Sequence, residues 1–300
     1  MNCKLCGGGR PKEILRSQDS GIMKCPDCGF MYREPYRGCA AARCAACADR
    51  CIDRLSEPGF LEARLRVDGR RAERIKRLAG GDLSELNVLE LGAGLGCLAS
   101  HLAAASGRYL GLESSPVFYG CLKAGFRDLA GKVENALLPG PEHRGRFDLL
   151  ILVDVLQFAP KPLEFLREAA LALAKNGRIY LEVPDESLMT LRASARKALG
   201  LYRGSPLHHG HINFFTPRSL RFLLREAGLR AEVLKQASIA ADEDRLFLTL
   251  KKKLPAWVRA SSLAARLTGA DTLLGLGNTV CLCRRAGAAA RAPGFAGLTL

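Results

Sequence analysis

Four cysteines near the start of the chain have the spacing of a metal site. Cys3 and Cys6 form one Cys-x-x-Cys pair, and Cys25 and Cys28 form a second pair after a gap of 18 residues. Two such turns can direct four thiolates to one ion, and tetrahedral sulfur coordination suits Zn²⁺. Because four thiolates leave no position for water, we expect a structural zinc ribbon and not a catalytic zinc.

A second group of four cysteines follows directly, at Cys39, Cys44, Cys47 and Cys51. These residues could bind a second Zn²⁺ or an iron–sulfur cluster. Three of them, however, recur at positions i, i+3 and i+7 of an alanine-rich segment, which is one face of a helix. Small thiols on such a face could simply pack against a core. The spacing leaves both interpretations open.

A glycine-rich turn follows the first strongly apolar strand pattern, in the sequence Glu90-x-Gly92-x-Gly94-x-Gly96. A turn of this kind between strand and helix can hold the pyrophosphate of a dinucleotide. It can also hold S-adenosylmethionine, which carries a sulfonium, an ammonium and a ribose. Glu90 would repel phosphates and would suit a cation, so it favours S-adenosylmethionine.

Glu113 ends the second predicted strand, 17 residues beyond Gly96. A carboxylate at this position could accept hydrogen bonds from both hydroxyls of a ribose. Both cofactors contain a ribose, so Glu113 supports a nucleoside site without choosing between them.

Strands and helices alternate through the part of the chain that carries these residues. The alternation predicts a doubly wound α/β domain with a parallel, Rossmann-like sheet. The domains predicted are a zinc ribbon over 1–37, a helical linker with the second cysteine group over 38–86 and the α/β domain over 87–285. A helical insertion over 243–275 is expected before the last strand, and a flexible tail over 286–300.

The composition excludes several classes of protein. The chain has 300 residues, of which 48% are hydrophobic and 25% charged, so disorder throughout and fibrous structure are excluded. No apolar run approaches the ~18 residues of a membrane helix, and the start of the chain lacks a secretory pattern, which favours a cytoplasmic protein. The net charge is +15, with +10 in residues 185–300, which indicates an anionic partner.

Residues 87–184 resemble a class I S-adenosylmethionine-dependent methyltransferase. The resemblance rests on the glycine-rich turn, on Glu113, on the strand that opens at Phe147-Asp148 and ends at Asp154, and on Asn176-Gly177-Arg178. It implies that the cofactor contacts Glu90, Gly92, Gly94, Gly96, Glu113 and Asp154. Where the family often has Leu-Glu-His, this chain has Leu156-Gln157-Phe158.

The segment His211-Ile212-Asn213-Phe214-Phe215-Thr216 resembles a subgroup that joins an N-terminal zinc-binding domain to this fold and includes sugar C-methyltransferases. Three of the five histidines, His208, His209 and His211, lie after the fifth strand, where a doubly wound sheet exposes its ligand crevice. Imidazole titrates near neutral pH, so His211 is the favoured candidate for a base on the acceptor side. Tyr180 and Tyr202 are alternative candidates.

Three functions are compatible with these patterns. The first is methyl transfer to a small or carrier-linked, anionic acceptor. The second is methylation of RNA, because some ribosomal RNA methyltransferases also begin with a zinc ribbon, although only 6% of the residues are aromatic. The third is a non-catalytic binding protein with a degenerate methyltransferase fold, which the intact glycine-rich turn disfavours.

Overall fold

The computed structural model describes residues 2–17, 20–35, 57–200, 211–238 and 277–286. Several features singled out above lie outside the described residues. These are the cysteine group at 39–51, His208, His209, Tyr202, the predicted insertion over 243–275 and residues 287–300 of the predicted tail.

The described chain forms strands and helices in an alternating order. The strands are β1 (Lys12–Ser17), β2 (Ser20–Lys24), β3 (Met31–Glu34), β4 (Leu83–Leu91), β5 (Ser106–Leu112), β6 (Val133–Glu134), β7 (Phe147–Val153), β8 (Leu173–Pro184), β9 (Asn213–Phe214), β10 (Leu229–Ser238) and β11 (Gly277–Arg285). The helices are α1 (Phe60–Ala79), α2 (Cys97–Ala105), α3 (Pro116–Gly125), α4 (Pro162–Ala170), α5 (Ser187–Ala198) and α6 (Pro217–Glu226).

The larger sheet has seven strands in the order β10-β11-β8-β7-β4-β5-β6. Strands β4, β5, β6, β7 and β8 pair in parallel, whereas β11 is antiparallel to both β8 and β10. The strand order reverses between β4 and β7, and an open sheet of this type binds ligands outside the carboxyl ends of the strands at that point. The predicted α/β, Rossmann-like fold is confirmed.

Strand β7 shows why the sheet is buried on both faces. Its sequence FDLLILV alternates two apolar sets. Leu149 and Ile151 belong to a core that includes Ile75 of α1, and Leu150 and Leu152 belong to a core that includes Leu166 of α4. A strand covered on both faces reads as a nearly continuous apolar run, as this strand does.

Helix α1 packs on one face of the sheet. Ala72 and Ile75 are buried against the strands, and the helix ends at Gly80, whose φ of 116° suits a residue without a side chain. The predicted helical linker over 38–86 therefore includes a helix that covers the sheet and the first residues of β4. That strand begins at Leu83, before the predicted boundary, because its first half carries polar residues that hide the strand pattern.

The smaller sheet has the order β1-β2-β3-β9 and joins the amino-terminal ribbon to a later part of the chain. Met31 pairs with Phe214 and Tyr32 pairs with Asn213, both antiparallel. The ring of Phe30 contacts that of Phe215 at 5.5 Å between centroids. Strand β9 has two residues and gives no pattern in the sequence, so this joint was not predicted.

Candidate functional site

The glycine-rich turn lies at the carboxyl end of β4 and is anchored to β5. The backbone N–H groups of Gly92 and Ala93 both donate to the carbonyl of Leu112, at 2.8 and 3.0 Å. Gly92, Gly94 and Gly96 have φ values of 77°, 57° and 90°, which a residue with a side chain rarely adopts. A Cβ at Gly94 would meet only the Gly92 carbonyl oxygen, at 3.9 Å, so the turn faces open space. The turn thus presents bare backbone to a ligand.

Glu113 holds this turn in place. One carboxylate oxygen accepts from the backbone N–H of Gly94 at 2.8 Å, and the other accepts from Ser115 at 2.7 Å. Burial raises the pKa of Glu113, and the backbone N–H groups of Ser115, Gly94 and Ser114 act in the opposite direction. A carboxylate has about four acceptor positions, so Glu113 keeps capacity for a ribose hydroxyl beside its hydrogen bonds to the backbone. The residues present fit the nucleoside part of S-adenosylmethionine.

Glu90 lies beneath the turn with 2% of its surface exposed. The hydroxyl of Tyr109 donates to its carboxylate at 2.5 Å. Burial raises the pKa of Glu90 to about 8, with smaller effects from the charges of Asp68, Arg71 and Glu113. A buried carboxyl of this kind gains most from a cation placed beside it.

A buried ion cluster that sequence reasoning missed lies beside Glu90. Arg71 of α1, which is 2% exposed, donates to Asp68 at 2.5 Å and to Glu182 of β8 at 3.1 and 3.2 Å. Arg74 donates to Glu182 at 2.8 Å. Burial alone would raise the pKa of Glu182, but Arg71 and Arg74 hold it well below its usual range. The signal in the sequence that could have revealed this cluster was the position of Arg71 and Arg74 on the apolar face of α1.

Tyr180, an alternative candidate base, belongs to this cluster and not to the crevice. It is fully buried, and its hydroxyl donates to Glu182 at 2.8 Å and accepts from Arg74 at 3.1 Å. Burial raises its pKa well above the usual range. The prediction for Tyr180 was therefore wrong, because the alternation along β8 directs this side chain toward α1.

Asp154 follows β7 at the edge of the crevice, with 30% of its side chain exposed. Its φ of 56° is the only positive value among the described non-glycine residues, and strain of this kind is typical of functional sites. Its carboxylate accepts from Gln157 at 3.2 Å and lies 3.7 Å from the guanidinium of Arg71. Arg71 therefore connects the buried ion cluster to a side chain at the crevice.

His211 lies against the segment that follows β7. Its ring meets that of Phe158 edge-on, with centroids 5.1 Å apart. The next residue, Ile212, donates its N–H to the Gln157 carbonyl at 2.9 Å, and Arg33 of the ribbon donates to the His211 carbonyl at 3.2 Å. The side chain of His211 is 12% exposed. The structure therefore brings the ribbon, His211 and the end of β7 together.

The four ribbon cysteines form a compact cluster whose ligand atoms all lie within 4.8 Å of one another. The Sγ atoms of Cys3 and Cys28 are 3.6 Å apart, as are those of Cys6 and Cys25. A Zn–S bond of about 2.3 Å gives tetrahedral S–S edges of about 3.8 Å. A disulfide would need about 2.05 Å. The sulfur spacing therefore fits a zinc ion, and neither Cys3 with Cys28 nor Cys6 with Cys25 forms a disulfide.

Within the part of the chain that the structure describes, no helix combines the length and the apolar composition needed to cross a bilayer.

Comparisons with known proteins point to one family. A family profile described as a methyltransferase domain matches residues 63–234, more than half of the chain. The ubiquinone biosynthesis O-methyltransferase of Aromatoleum aromaticum is 25% identical over 170 residues, covering 55% of this chain and 72% of that protein. The protein of the same name from Hydrogenovibrio crunogenus is 24% identical over 181 residues, covering 58% and 73%.

Among solved structures, magnesium protoporphyrin IX methyltransferase from Synechocystis with bound SAH aligns at a TM-score of 0.49 and 17% identity. The alignment covers 80% of this chain and 95% of that chain.

Proposed function

We propose that this chain, which belongs to the methyltransferase domain family, transfers the methyl group of S-adenosylmethionine to a small or carrier-linked, anionic acceptor. The observation that carries the acceptor side of this proposal is the position of His211. Its segment is bonded both to the ribbon, through Arg33, and to the segment after β7, through Gln157. These contacts support an acceptor crevice bordered by the ribbon, His211 and the edge of the sheet.

The donor side of the crevice consists of Glu90, Gly92, Gly94, Gly96, Glu113 and Asp154. When bound, S-adenosylmethionine supplies a methyl group already activated by positive sulfur. Glu113 would orient the ribose, and the bare backbone at Gly94 would allow close approach. Asp154 provides negative charge next to the turn, and Glu90 adds to it once a bound cation favours the loss of its proton. Such a site suits a cationic cofactor and opposes the phosphates of a dinucleotide.

The acceptor side needs a base only if the nucleophile must lose a proton. An acceptor hydroxyl is such a nucleophile, and the names of the curated relatives support oxygen as the acceptor atom. A carbon acid would need a base as well. His211 is the residue that we assign to this role, because its segment is hydrogen-bonded to Gln157, which follows Asp154.

The ribbon has a structural role in this proposal. A zinc ion held by Cys3, Cys6, Cys25 and Cys28 would fix the turns that precede β3. Strand β3 in turn pairs with β9, two residues after His211. Zinc would therefore order the acceptor side of the crevice without touching the donor side.

The net charge of +15 supports an anionic acceptor but also suits RNA. To separate the two, the zinc-loaded protein is incubated with S-adenosylmethionine labelled in its methyl group. One sample receives a small-molecule extract of the source cells and another receives total RNA. We expect label in the small-molecule fraction, lost in a Glu113→Ala variant and reduced in His211→Ala. Label in RNA, together with salt-sensitive RNA binding, would overturn the proposed acceptor class.

A further inference from the structure

A buried carboxylate that the proposed reaction does not yet use lies at the junction of β8 and α5. Glu186 is 2% exposed, and its backbone N–H donates to the Phe215 carbonyl at 3.0 Å. Its Oε1 atom is buried and accepts no hydrogen bond from the described residues. Its side chain does not cap α5 either. A buried carboxylate oxygen without a donor is unfavourable, so this position calls for a functional explanation.

The imidazole of His211 faces this carboxylate. Nδ1 of His211 and Oε1 of Glu186 are 3.8 Å apart. This separation is longer than a hydrogen bond and shorter than the roughly 5.5 Å that a bridging water would need. The two groups therefore act on each other directly, and catalytic contacts that are long in a ligand-free site often tighten when substrate binds.

The other described groups that contact His211 do not supply a negative charge. Phe158 and Phe214 contribute uncharged rings, at 5.1 and 6.5 Å between centroids. The positive guanidinium of Arg33 contacts the His211 carbonyl, so its charge opposes a second positive charge on the ring. Among the described residues that contact His211, Glu186 carries the charge that favours an imidazolium.

We infer that Glu186 is a positioning residue that orients His211 and stabilises its protonated form. This inference rests on the proposed function, in which His211 takes a proton from the acceptor. The carboxylate holds the hydrogen of the neutral ring on Nδ1, which leaves the lone pair of Nε2 to receive the proton. When a base is oriented in this way by a third group, the pair resembles the second and third members of a catalytic triad.

The step balances without a further reagent. The hydrogen of the acceptor hydroxyl moves as a proton to Nε2 of His211. An electron pair of that oxygen forms the new bond to the methyl carbon, and the pair of the broken carbon–sulfur bond returns to sulfur. The resulting imidazolium and the Glu186 carboxylate together carry no net charge, which a buried site tolerates.

The test compares wild-type protein with Glu186→Gln, which removes the charge and keeps the shape. The matched control is Glu164→Gln, which also removes a carboxylate from the start of a helix, at an exposed position of α4. Protein labelled with ¹⁵N-histidine gives the ratio of imidazolium to neutral imidazole by nuclear magnetic resonance. The His211 signals are assigned with a His211→Asn variant, and no acceptor is required.

With all samples measured at one fixed pH, we expect this ratio to be clearly lower in Glu186→Gln than in the wild-type protein, because the carboxylate 3.8 Å from the ring favours the charged imidazole. The ratio should stay unchanged in Glu164→Gln. A change of less than twofold in Glu186→Gln would overturn the inference, because a carboxylate with only a structural role would not alter the charge on His211.

If Glu186→Gln does not fold, the interaction between the two groups is measured at the Glu186 carboxyl instead. In the wild-type protein, the ¹³C chemical shift of the Glu186 carboxyl should change with pH as His211 gains or loses its proton. This change should be absent in His211→Asn. A resonance that is the same in both proteins would overturn the inference. Calorimetric binding of S-adenosylmethionine to the same samples tests the proposed function separately, since the contacts assigned to the donor belong to the glycine-rich turn and Glu113 and not to Glu186.

Discussion

Replacing Glu90 by glutamine should stabilise the protein at neutral and alkaline pH. Glu90 is 2% exposed, and burial raises its pKa to about 8, against an ordinary value of 4.5. Between these two values the unfolded chain is ionised at Glu90 while the folded protein keeps the proton. A glutamine cannot ionise, and its carbonyl can still accept from the Tyr109 hydroxyl. The substitution therefore removes a penalty and keeps the hydrogen bond.

The magnitude follows from the pKa difference. Because the folded pKa lies above the unfolded one, the contribution of Glu90 to stability is fully present below about pH 4.5 and is lost as pH rises toward 8. The loss is of the order of 3 kcal/mol at pH 7 and reaches roughly 5 kcal/mol above pH 8. The glutamine variant should show no such loss from this position.

Denaturant unfolding of both proteins at pH 5 and pH 8.5 measures the effect. The control is Glu85→Gln, which changes an exposed residue of the same strand. The gain in unfolding free energy of Glu90→Gln over wild-type should be small at pH 5 and several kcal/mol at pH 8.5. A gain that does not change with pH would refute the reasoning, because it would show that Glu90 has the same pKa in both states.

The same variant should bind S-adenosylmethionine less tightly. If the ionised carboxylate pairs with the cationic cofactor, wild-type affinity should rise with pH up to about 8 and then level off. Glu90→Gln should lose this dependence. The stability of the free protein and the affinity for the donor would then change in opposite directions at one residue.

Three further predictions concern the remaining parts of the site. Glu113→Ala should weaken S-adenosylmethionine binding by about 2–3 kcal/mol in calorimetry, because it removes charge-assisted hydrogen bonds, and an unchanged affinity would contradict the donor assignment. The ribbon is expected to hold roughly one zinc ion per chain, and a double variant Cys25→Ser and Cys28→Ser should lose it. This variant should also melt at a lower temperature. Full zinc content in the variant would contradict the ribbon site. His211→Ala should lower turnover by about 10²–10⁴-fold with little change in donor affinity, and a collapse of that affinity in a folded variant would move His211 to the donor side.

The parts of the site that the sequence predicted are those that local spacing determines. Cys3 and Cys6 must lie close together because one tight turn separates them, and the same holds for Cys25 and Cys28. The glycine-rich turn was predictable because a strand, a turn and a helix follow one another directly. The strong apolar run of β7 likewise gave the position of Asp154.

The contacts that the sequence did not predict join residues far apart in the chain. Arg71 and Glu182 are separated by 111 residues, and Arg33 and His211 by 178. Such pairs depend on how α1 lies on the sheet and on the pairing of β3 with β9. Charged residues on α1 read as a solvated face, because a pattern of charges does not show which of them are buried. Glu186 was missed because the sequence likewise does not show that its side chain is buried.

The most direct test of the account is a calorimetric titration of the zinc-loaded protein with S-adenosylmethionine and, separately, with NAD. The glycine-rich turn, Glu90 and Glu113 predict binding of S-adenosylmethionine in the micromolar range and no tight binding of NAD. Tight binding of NAD without binding of S-adenosylmethionine would contradict the account, because it would mean that the turn accepts a pyrophosphate beside the buried carboxyl of Glu90.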